Sequence, residues 1–331
     1  MRLENLLALI DARLTNEPCV NSFENIVFEA HRVKRGDLFI ANSILDIDLA
    51  VKNGAYGILY DQTTSITDDE IAWIYVKNLQ KALDKLLRFR LIENEIIAYR
   101  CDEIVFKLAS QITTDDNFVV VTLDDSKVFR QLWQLQNRTI LLFCPTLHNE
   151  NIFTNIKSLN STINKNIEII EQTLFETSFI YNDKYYEREL ISPFFIPYLE
   201  ELFHLYESLN INYRLRKFHT IDNFEAVFTN KKLQIKEFGT SDKVLIFEKN
   251  SSLIQKEIDF LQNKASWANI VYLLPKNIYV PNENNVIRYE NSDEILTTLK
   301  KSKFHFALVV GVSKSILNKK TNNSVKTLFD I

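Results

Sequence analysis

Glycine is the residue whose placement limits this chain most. The 331 residues include only five glycines, and three of them lie within the stretch from 31 to 61, at Gly36, Gly54 and Gly57. A loop that wraps a phosphate turns successive backbone N–H groups inward, which normally requires glycine. Because no glycine lies between Gly57 and Gly239, the sequence predicts that no glycine-rich phosphate loop forms in that interval.

The order of apolar segments predicts an α/β protein with parallel sheets. Runs of strand length occur at GDLFIA, YGILYD, IAWIYV, EIIAY, FVVVTLD, TILLFCP, KVLIFE, ANIVYLLP and HFALVVG. Helical spacing of apolar residues occurs over about residues 3–14, 46–53, 79–87, 104–112, 199–206 and 252–266. Such strand and helix alternation is typical of parallel sheets. The asparagine-rich stretch 149–166 is expected to be a loop with irregular helix, and the tail from about 317 has no sustained apolar face.

Length and the restart of this pattern predict three domains. A chain of 331 residues with 46 % hydrophobic residues exceeds the usual size of one domain. We expect a small α/β domain over 1–90, a central domain over 91–228, and a C-terminal α/β domain with a polar tail over 229–331.

Charge and hydropathy exclude several classes of partner. The net charge of -4 gives no basic surface that would gather nucleic acid. No apolar run approaches the roughly 18 to 20 residues that a membrane-spanning helix needs. Glu4 and Asp11 stand where a signal peptide would be uncharged. We therefore expect a cytoplasmic protein without nucleic-acid partners or a membrane span.

Cysteine and histidine spacing predicts no metal and no catalytic nucleophile. The three cysteines are far apart and the five histidines lack the spacing of metal ligands. We expect both residue types to be structural or solvated, and we expect no cofactor.

The glycine-bearing stretch carries a resemblance to a known family. RVKRGDLFIA, followed after a helix by AVKNGAYGILYD, resembles the N-terminal uridine-nucleotide-binding domain of the Mur ligases, especially the member that adds D-alanyl-D-alanine. The resemblance implies a three-part architecture and a place in peptidoglycan precursor synthesis. Within the stretch, Gly36 is expected to supply a turn, Gly54 a helix stop, and Gly57 a close helix-to-strand approach.

Only part of the family's ligand-binding pattern is present. Its Asp-Ser-Arg triplet is matched by Ala30, His31 and Arg32, so only the arginine is retained. An arginine there could pair bidentately with a diphosphate. We therefore predict substrate binding at Arg32, with Lys34 and Arg35 as basic neighbours.

The centre of the chain departs from the family. The segment EIIAYRCDEIVFKLASQI stands where a Mur ligase has a strand, a glycine-rich loop ending Gly-Lys-Thr and a helix. Asp102 and Glu103 lie at the predicted helix start and would repel a phosphate there, and Lys107 is one turn inside the helix. SPFFIPY replaces the family's Gly-x-His-Asn element. Few residues separate it from EIIAYRCDEIVFKLASQI, which implies a shortened central domain.

Two later glycines mark weaker candidate sites. Gly311 ends an apolar run and precedes Ser313 and Lys314 at a possible helix start. These two residues are a second candidate for substrate binding, although the pattern lacks the second glycine of Gly-x-Ser-x-Gly and a serine helix cap explains it equally simply. Gly239 opens a stretch with hydroxyls and an amine ahead of a strand, where a plain turn is the simpler interpretation.

Three functions remain open from the sequence. The leading hypothesis is a non-catalytic Mur ligase homologue that is a binding or scaffolding partner of cell-wall enzymes in peptidoglycan precursor synthesis. An intermediate hypothesis keeps UDP-MurNAc-peptide binding in the first domain, without chemistry. The alternative is an active ligase or transferase on UDP-MurNAc-peptide or a related substrate, with a rearranged site near Gly311 or Gly239.

Overall fold

The protein divides into two compact units. The computed structural model describes residues 1–159, 166–215, 218–237, 239–282 and 284–318. Unit 1 comprises Met1–Phe106 with Asp115–Leu159, and unit 2 comprises Lys107–Thr114 with Asn160–Ile331. The domain boundaries at 90 and 228 stay predictions, because a compact unit can hold more than one domain.

The first sheet of unit 1 has five strands, in the order β1-β5-β4-β3-β2. Strands β2 to β5 are parallel, and β1 runs antiparallel at one edge. The strands are β1 (Arg13–Leu14), β2 (Ile26–Val27), β3 (Leu38–Ile40), β4 (Gly57–Tyr60) and β5 (Ala72–Tyr75), and the helices are α1 (Leu3–Ile10), α2 (Ile47–Lys52) and α3 (Leu79–Glu93). Successive side chains enter different cores: Leu38 and Ile40 belong to one apolar cluster, and Phe39 to a second that includes Ile47 and Ala50 of α2.

The second sheet of unit 1 is fully parallel and has the order β7-β8-β6-β9. Its strands are β6 (Ile97–Arg100), β7 (Phe118–Val120), β8 (Ile140–Phe143) and β9 (Ile156–Ser158), with helix α5 (Asp125–Trp133). Helix α4 (Glu103–Ile112) begins in unit 1, and its residues from Lys107 onward belong to unit 2. Side chains of α3 such as Leu86 and Leu91 join Leu38 of the first sheet and Leu141 of the second in one buried cluster. Burial of this shared core holds the two sheets together in unit 1.

Unit 2 contains an antiparallel sheet and a mostly parallel one. The three-stranded sheet is β10 (Glu168–Gln172), β11 (Thr177–Tyr181) and β12 (Lys184–Glu189), followed by α6 (Ile196–Leu209). The five-stranded sheet has the order β13-β14-β17-β15-β16, with only the edge strand β13 antiparallel. Its elements are β13 (Glu225–Thr229), β14 (Lys243–Glu248), α7 (Ile254–Lys264), β15 (Ile270–Pro275), β16 (Val286–Tyr289), α8 (Ser292–Lys301) and β17 (Phe306–Val310).

These elements confirm the predicted α/β class, and most predicted strands and helices, with three corrections. The first helix ends at Ile10 rather than near Leu14, because Asp11 takes a left-handed conformation with φ of 52° and the chain then enters β1. The stretch from 149 contains the expected short helix at Glu150–Ile152 and also strand β9, whose pattern of three exposed residues gave no apolar signal. Residues 160–165 and the tail after 318 lie outside the described residues.

The third correction concerns the glycines. Gly36 and Gly54 have φ of 99° and 94°, as a turn and a helix stop require. Gly57 does lie at a close approach, but its neighbour is a loop residue and not a helix. A Cβ at Gly57 would stand 2.5 Å from Cε1 of Phe23 and 3.1 Å from Cδ1 of Leu38.

Candidate functional site

Arg32 lines a small cavity in unit 1. The residue ends a short helix, Ala30–Arg32, that follows β2. The cavity has a volume of about 160 Å³, and its lining includes Glu29, Arg32, Phe129, Arg130 and Trp133. We call it the Arg32 cavity. Because one wall comes from the loop after β2 and the other from α5, it is built from residues about a hundred positions apart in the sequence.

One carboxylate engages both arginines of the Arg32 cavity. Glu29 forms ion pairs with the guanidinium groups of Arg32 and Arg130, and His31 lies 3.7 Å from the same carboxylate. The hydrogen bond from Arg130 lowers the pKa of Glu29 most, and the charges of Arg130, Arg32 and His31 lower it further against the cost of burial. The carboxylate thus occupies the position that an anionic ligand would take beside the guanidinium groups.

Aromatic rings flank these charges. Phe129 stacks on Trp133 at 5.4 Å between centroids, and Phe28 meets Phe129 edge-on at 4.7 Å. The guanidinium of Arg90 lies over Trp133, 5.7 Å from its ring centroid. Rings and guanidinium groups at one cavity can hold a planar base and a phosphate, respectively.

Lys34 and Arg35 belong to the turn before β3 and do not line the Arg32 cavity. The backbone N–H of Lys34 donates to Oδ2 of buried Asp37 at 2.8 Å, and Nε of Arg35 donates to the hydroxyl of Tyr56 at 3.0 Å. Both side chains are exposed. The structure therefore places Arg32 in the cavity and its two predicted neighbours on the adjoining surface.

Ser313 and Lys314 lie in unit 2, at the carboxyl end of β17. Lys314 begins the short helix Lys314–Asn318, and its ammonium pairs with Glu225 of β13 at 2.8 Å. The hydroxyl of Ser313 lies 2.6 Å from that of Ser315. Gly311 has φ of 83°, and a Cβ there would stand 3.0 Å from the Tyr289 hydroxyl. The ammonium of Lys314 is thus paired with a carboxylate on the edge strand of the five-stranded sheet.

Two residues, Cys101 and Asp102, separate β6 from α4. The backbone N–H of Cys101 donates to the carbonyl oxygen of Phe143 at 3.0 Å, and the carbonyl of Asp102 accepts the first helical bond from Phe106 at 2.9 Å. Glu103 lies in the first turn of α4. A phosphate-wrapping loop needs several free N–H groups that point inward. This turn has only two residues, and the N–H group of one of them is already bonded.

Lys107 is held inside unit 2 by a polar chain that the sequence did not indicate. Its ammonium donates to Oδ1 of Asp222 at 2.5 Å and to Oδ1 of Asn223 at 2.6 Å. The amide of Asn223 donates in turn to the carboxylate of Glu248 at 3.2 Å. Glu248 and Glu257 are both fully buried, and together they end this chain of polar groups.

His148, His305 and Lys243 hold structural positions, whereas Gly239 and Ser241 line a cavity of unit 2. His148 lies between backbone atoms of Cys144 and the carbonyl of Thr122, and His305 accepts a hydrogen bond from the N–H of Asn269 at 2.9 Å. Lys243 after Gly239 donates to the last carbonyls of α8 rather than facing an anion site. Within the described residues no group of three histidine, cysteine or carboxylate side chains could hold a metal ion. None of the helices in the described ranges is long and apolar enough to cross a membrane.

Solved structures share the architecture. MurF from Acinetobacter baumannii is 10 % identical, with 93 % of this chain and 95 % of that chain covered and a TM-score of 0.51. MurF ligase from Thermotoga maritima in complex with ADP is 11 % identical, with 88 % and 95 % covered and a TM-score of 0.49. No family model and no curated protein matches the sequence. The resemblance drawn from residues 31–61 is confirmed at the level of architecture, and the chain has the Mur ligase fold.

Proposed function

We propose that this protein is a non-catalytic relative of the Mur ligases with a binding or scaffolding role in peptidoglycan precursor synthesis. The observation that supports the proposal most directly is the two-residue turn between β6 and α4. In ATP-dependent enzymes with a strand, phosphate loop and helix, backbone N–H groups and a lysine hold the phosphates. Here Asp102 and Glu103 bring carboxylates to the positive end of α4, and Lys107 is bound to Asp222 and Asn223.

The proposed ligand of the Arg32 cavity is the diphosphate of a UDP-MurNAc-peptide, because a volume of about 160 Å³ is too small for the whole UDP group. Two guanidinium groups can hold a diphosphate bidentately, and the ring of Trp133 or Phe129 can stack on a uracil. For the diphosphate to bind, the ion pairs of Glu29 with Arg32 and Arg130 must break. The carboxylate therefore acts as an internal competitor, and its removal should strengthen anion binding.

Calorimetric titration with UDP-MurNAc-tripeptide tests this binding role. We expect Arg32→Ala and Arg130→Ala to abolish binding, and Glu29→Gln to strengthen it severalfold, because a neutral amide competes less well for guanidinium groups. Arg138→Ala is the matched control, since Arg138 is exposed and pairs with Glu95. Equal affinities of the wild type and Arg32→Ala for UDP-MurNAc-tripeptide would show that this ligand does not bind in the Arg32 cavity.

The absence of catalysis has its own test. The purified protein is incubated with ATP, UDP-MurNAc-tripeptide and D-alanyl-D-alanine, and phosphate release and ligated product are measured. We expect neither above the level of a protein-free control. Sustained ATP-dependent turnover would refute the non-catalytic assignment and favour a ligase with a rearranged site.

A further inference from the structure

Unit 2 contains a second, larger cavity that neither the Arg32 cavity nor the predicted Ser313–Lys314 position includes. It has a volume of about 560 Å³, and four of its lining residues are aromatic: Phe175, Phe228, Trp267 and Phe306. We call it the Trp267 cavity. Pockets for small molecules typically measure about 300 to 1,000 Å³, so its size fits one such ligand.

The Trp267 cavity lies at the amino ends of the parallel strands. Val244 and Phe306 near the starts of β14 and β17 line it, together with the turn after β10. Ser313 and Lys314 follow the carboxyl end of β17, so they lie at the opposite end of the parallel strands of the same sheet. A ligand of the Trp267 cavity would therefore occupy a different place from any ligand of the predicted Ser313–Lys314 position.

The aromatic wall is ordered by contacts among its own rings. Phe175 meets Phe228 edge-on at 5.5 Å and lies 6.2 Å from Phe306, and Trp267 meets Phe306 edge-on at 6.0 Å. Phe306 is 8 % exposed, whereas Trp267 is 72 % exposed. A tryptophan anchored at one edge with most of its surface free offers a stacking face for an incoming ring.

Polar groups with free bonding capacity line the same cavity. Among the described residues, no hydrogen bond or ion pair engages the side chains of Gln172, Ser241 or Lys264. Lys264 is the last residue of α7, so its ammonium brings a positive charge to the cavity. Small-molecule sites usually combine an apolar wall with a small number of polar groups.

We propose that the Trp267 cavity binds a small planar aromatic molecule that carries a negative charge. The ring lies against Trp267 and Phe175, and the anionic group pairs with Lys264. The amide of Gln172 and the hydroxyl of Ser241 orient the ligand through hydrogen bonds. The site is independent of the proposed peptidoglycan role, and it needs no residue of the Arg32 cavity.

A pair of fluorescent probes tests both halves of the proposal on the full chain. The aromatic sulfonate 8-anilinonaphthalene-1-sulfonate carries the charge, and the neutral N-phenyl-1-naphthylamine has a similar ring system without it. We expect one saturable sulfonate site whose affinity falls roughly tenfold in Trp267→Ala, because the variant loses the stacking face. Lys264→Ala should lower sulfonate affinity about threefold and leave the affinity for the neutral probe unchanged.

Matched controls separate this site from general surface binding. Tyr279→Ala removes another exposed ring, and Lys301→Ala removes a lysine at the end of another helix. Neither should change either affinity. Ser241→Phe, which fills the cavity without removing a ring, should abolish sulfonate binding. Unchanged sulfonate affinity in Trp267→Ala, or an equal loss for both probes in Lys264→Ala, would overturn the proposal.

Discussion

Replacement of Glu257 by glutamine should make the protein more stable, and the gain should grow with pH. Glu257 lies on α7 and is fully buried. No described donor reaches either of its carboxylate oxygens. Its neighbour Glu248 already accepts the backbone N–H of Asn250 at 2.6 Å and of Phe224 at 3.0 Å. Burial raises the pKa of Glu257 well above its ordinary 4.5, and the charge of Glu248, to which a protonated Glu257 can donate, raises the pKa further.

The size of the effect follows from the proton that Glu257 keeps on folding. Above pH 4.5 the unfolded chain loses this proton while the folded protein retains it. Folding is then coupled to proton uptake, so stability falls as pH rises from the unfolded pKa to the folded pKa. For one proton the slope reaches about 1.4 kcal/mol per pH unit. Glutamine does not titrate and its amide can still donate to Glu248, so the variant lacks this slope.

Urea unfolding followed by circular dichroism at several pH values measures the difference. For each pH unit between the unfolded and the folded pKa of Glu257, we expect the stability advantage of Glu257→Gln over the wild type to grow by about 1.4 kcal/mol. Glu187→Gln, at an exposed position on β12, is the control and should run parallel to the wild type. A stability difference that stays constant with pH, or a loss of stability in Glu257→Gln, would show that Glu257 does not keep a proton in the folded protein.

Two further substitutions test the fold. Gly57→Ala should cost about 1 to 3 kcal/mol in urea unfolding because its Cβ would meet the buried ring of Phe23, and Phe23→Leu in the same chain should recover part of the loss. Additive losses in the double variant would contradict that contact. Lys243→Ala should lower stability by about 1 to 3 kcal/mol, because the ammonium bonds the carbonyls of Leu299 and Ser302 and lies 4.1 Å from the centroid of Phe304. An unchanged unfolding midpoint would show that water replaces the lysine.

Local patterning predicts the regular part of this fold well. The apolar runs from GDLFIA to HFALVVG became strands, most of them buried, because parallel strands covered on both sides need continuous apolar sequence. Strands β2, β9 and β16 gave weaker signals, since they are short and only partly buried or exposed. Pairing with a neighbouring strand stabilises them more than their own composition does.

The candidate sites depend on contacts between distant residues, and here the sequence was less informative. Arg32 was identified from a local motif, but Arg130 and Trp133 reach the same cavity only through tertiary packing of α5. Helical spacing places Glu257 on the buried face of α7 beside Ile254 and Ile258, whereas Asp259 faces solvent. A local pattern therefore indicates that Glu257 is buried, but it does not indicate that the neighbour of Glu257 is a second buried carboxylate, Glu248. The hydrogen bonds from Lys107 to Asp222 and Asn223 likewise join residues more than a hundred positions apart.

Calorimetric titration of the full chain with magnesium ATP tests whether a nucleotide binds at the start of α4. We expect no saturable heat up to millimolar concentrations, because the turn between β6 and α4 offers carboxylates and has one N–H group already bonded, whereas phosphates would need free donors. Stoichiometric binding that weakens when Lys107 is replaced by alanine would contradict the account, since it would place a nucleotide at the start of α4.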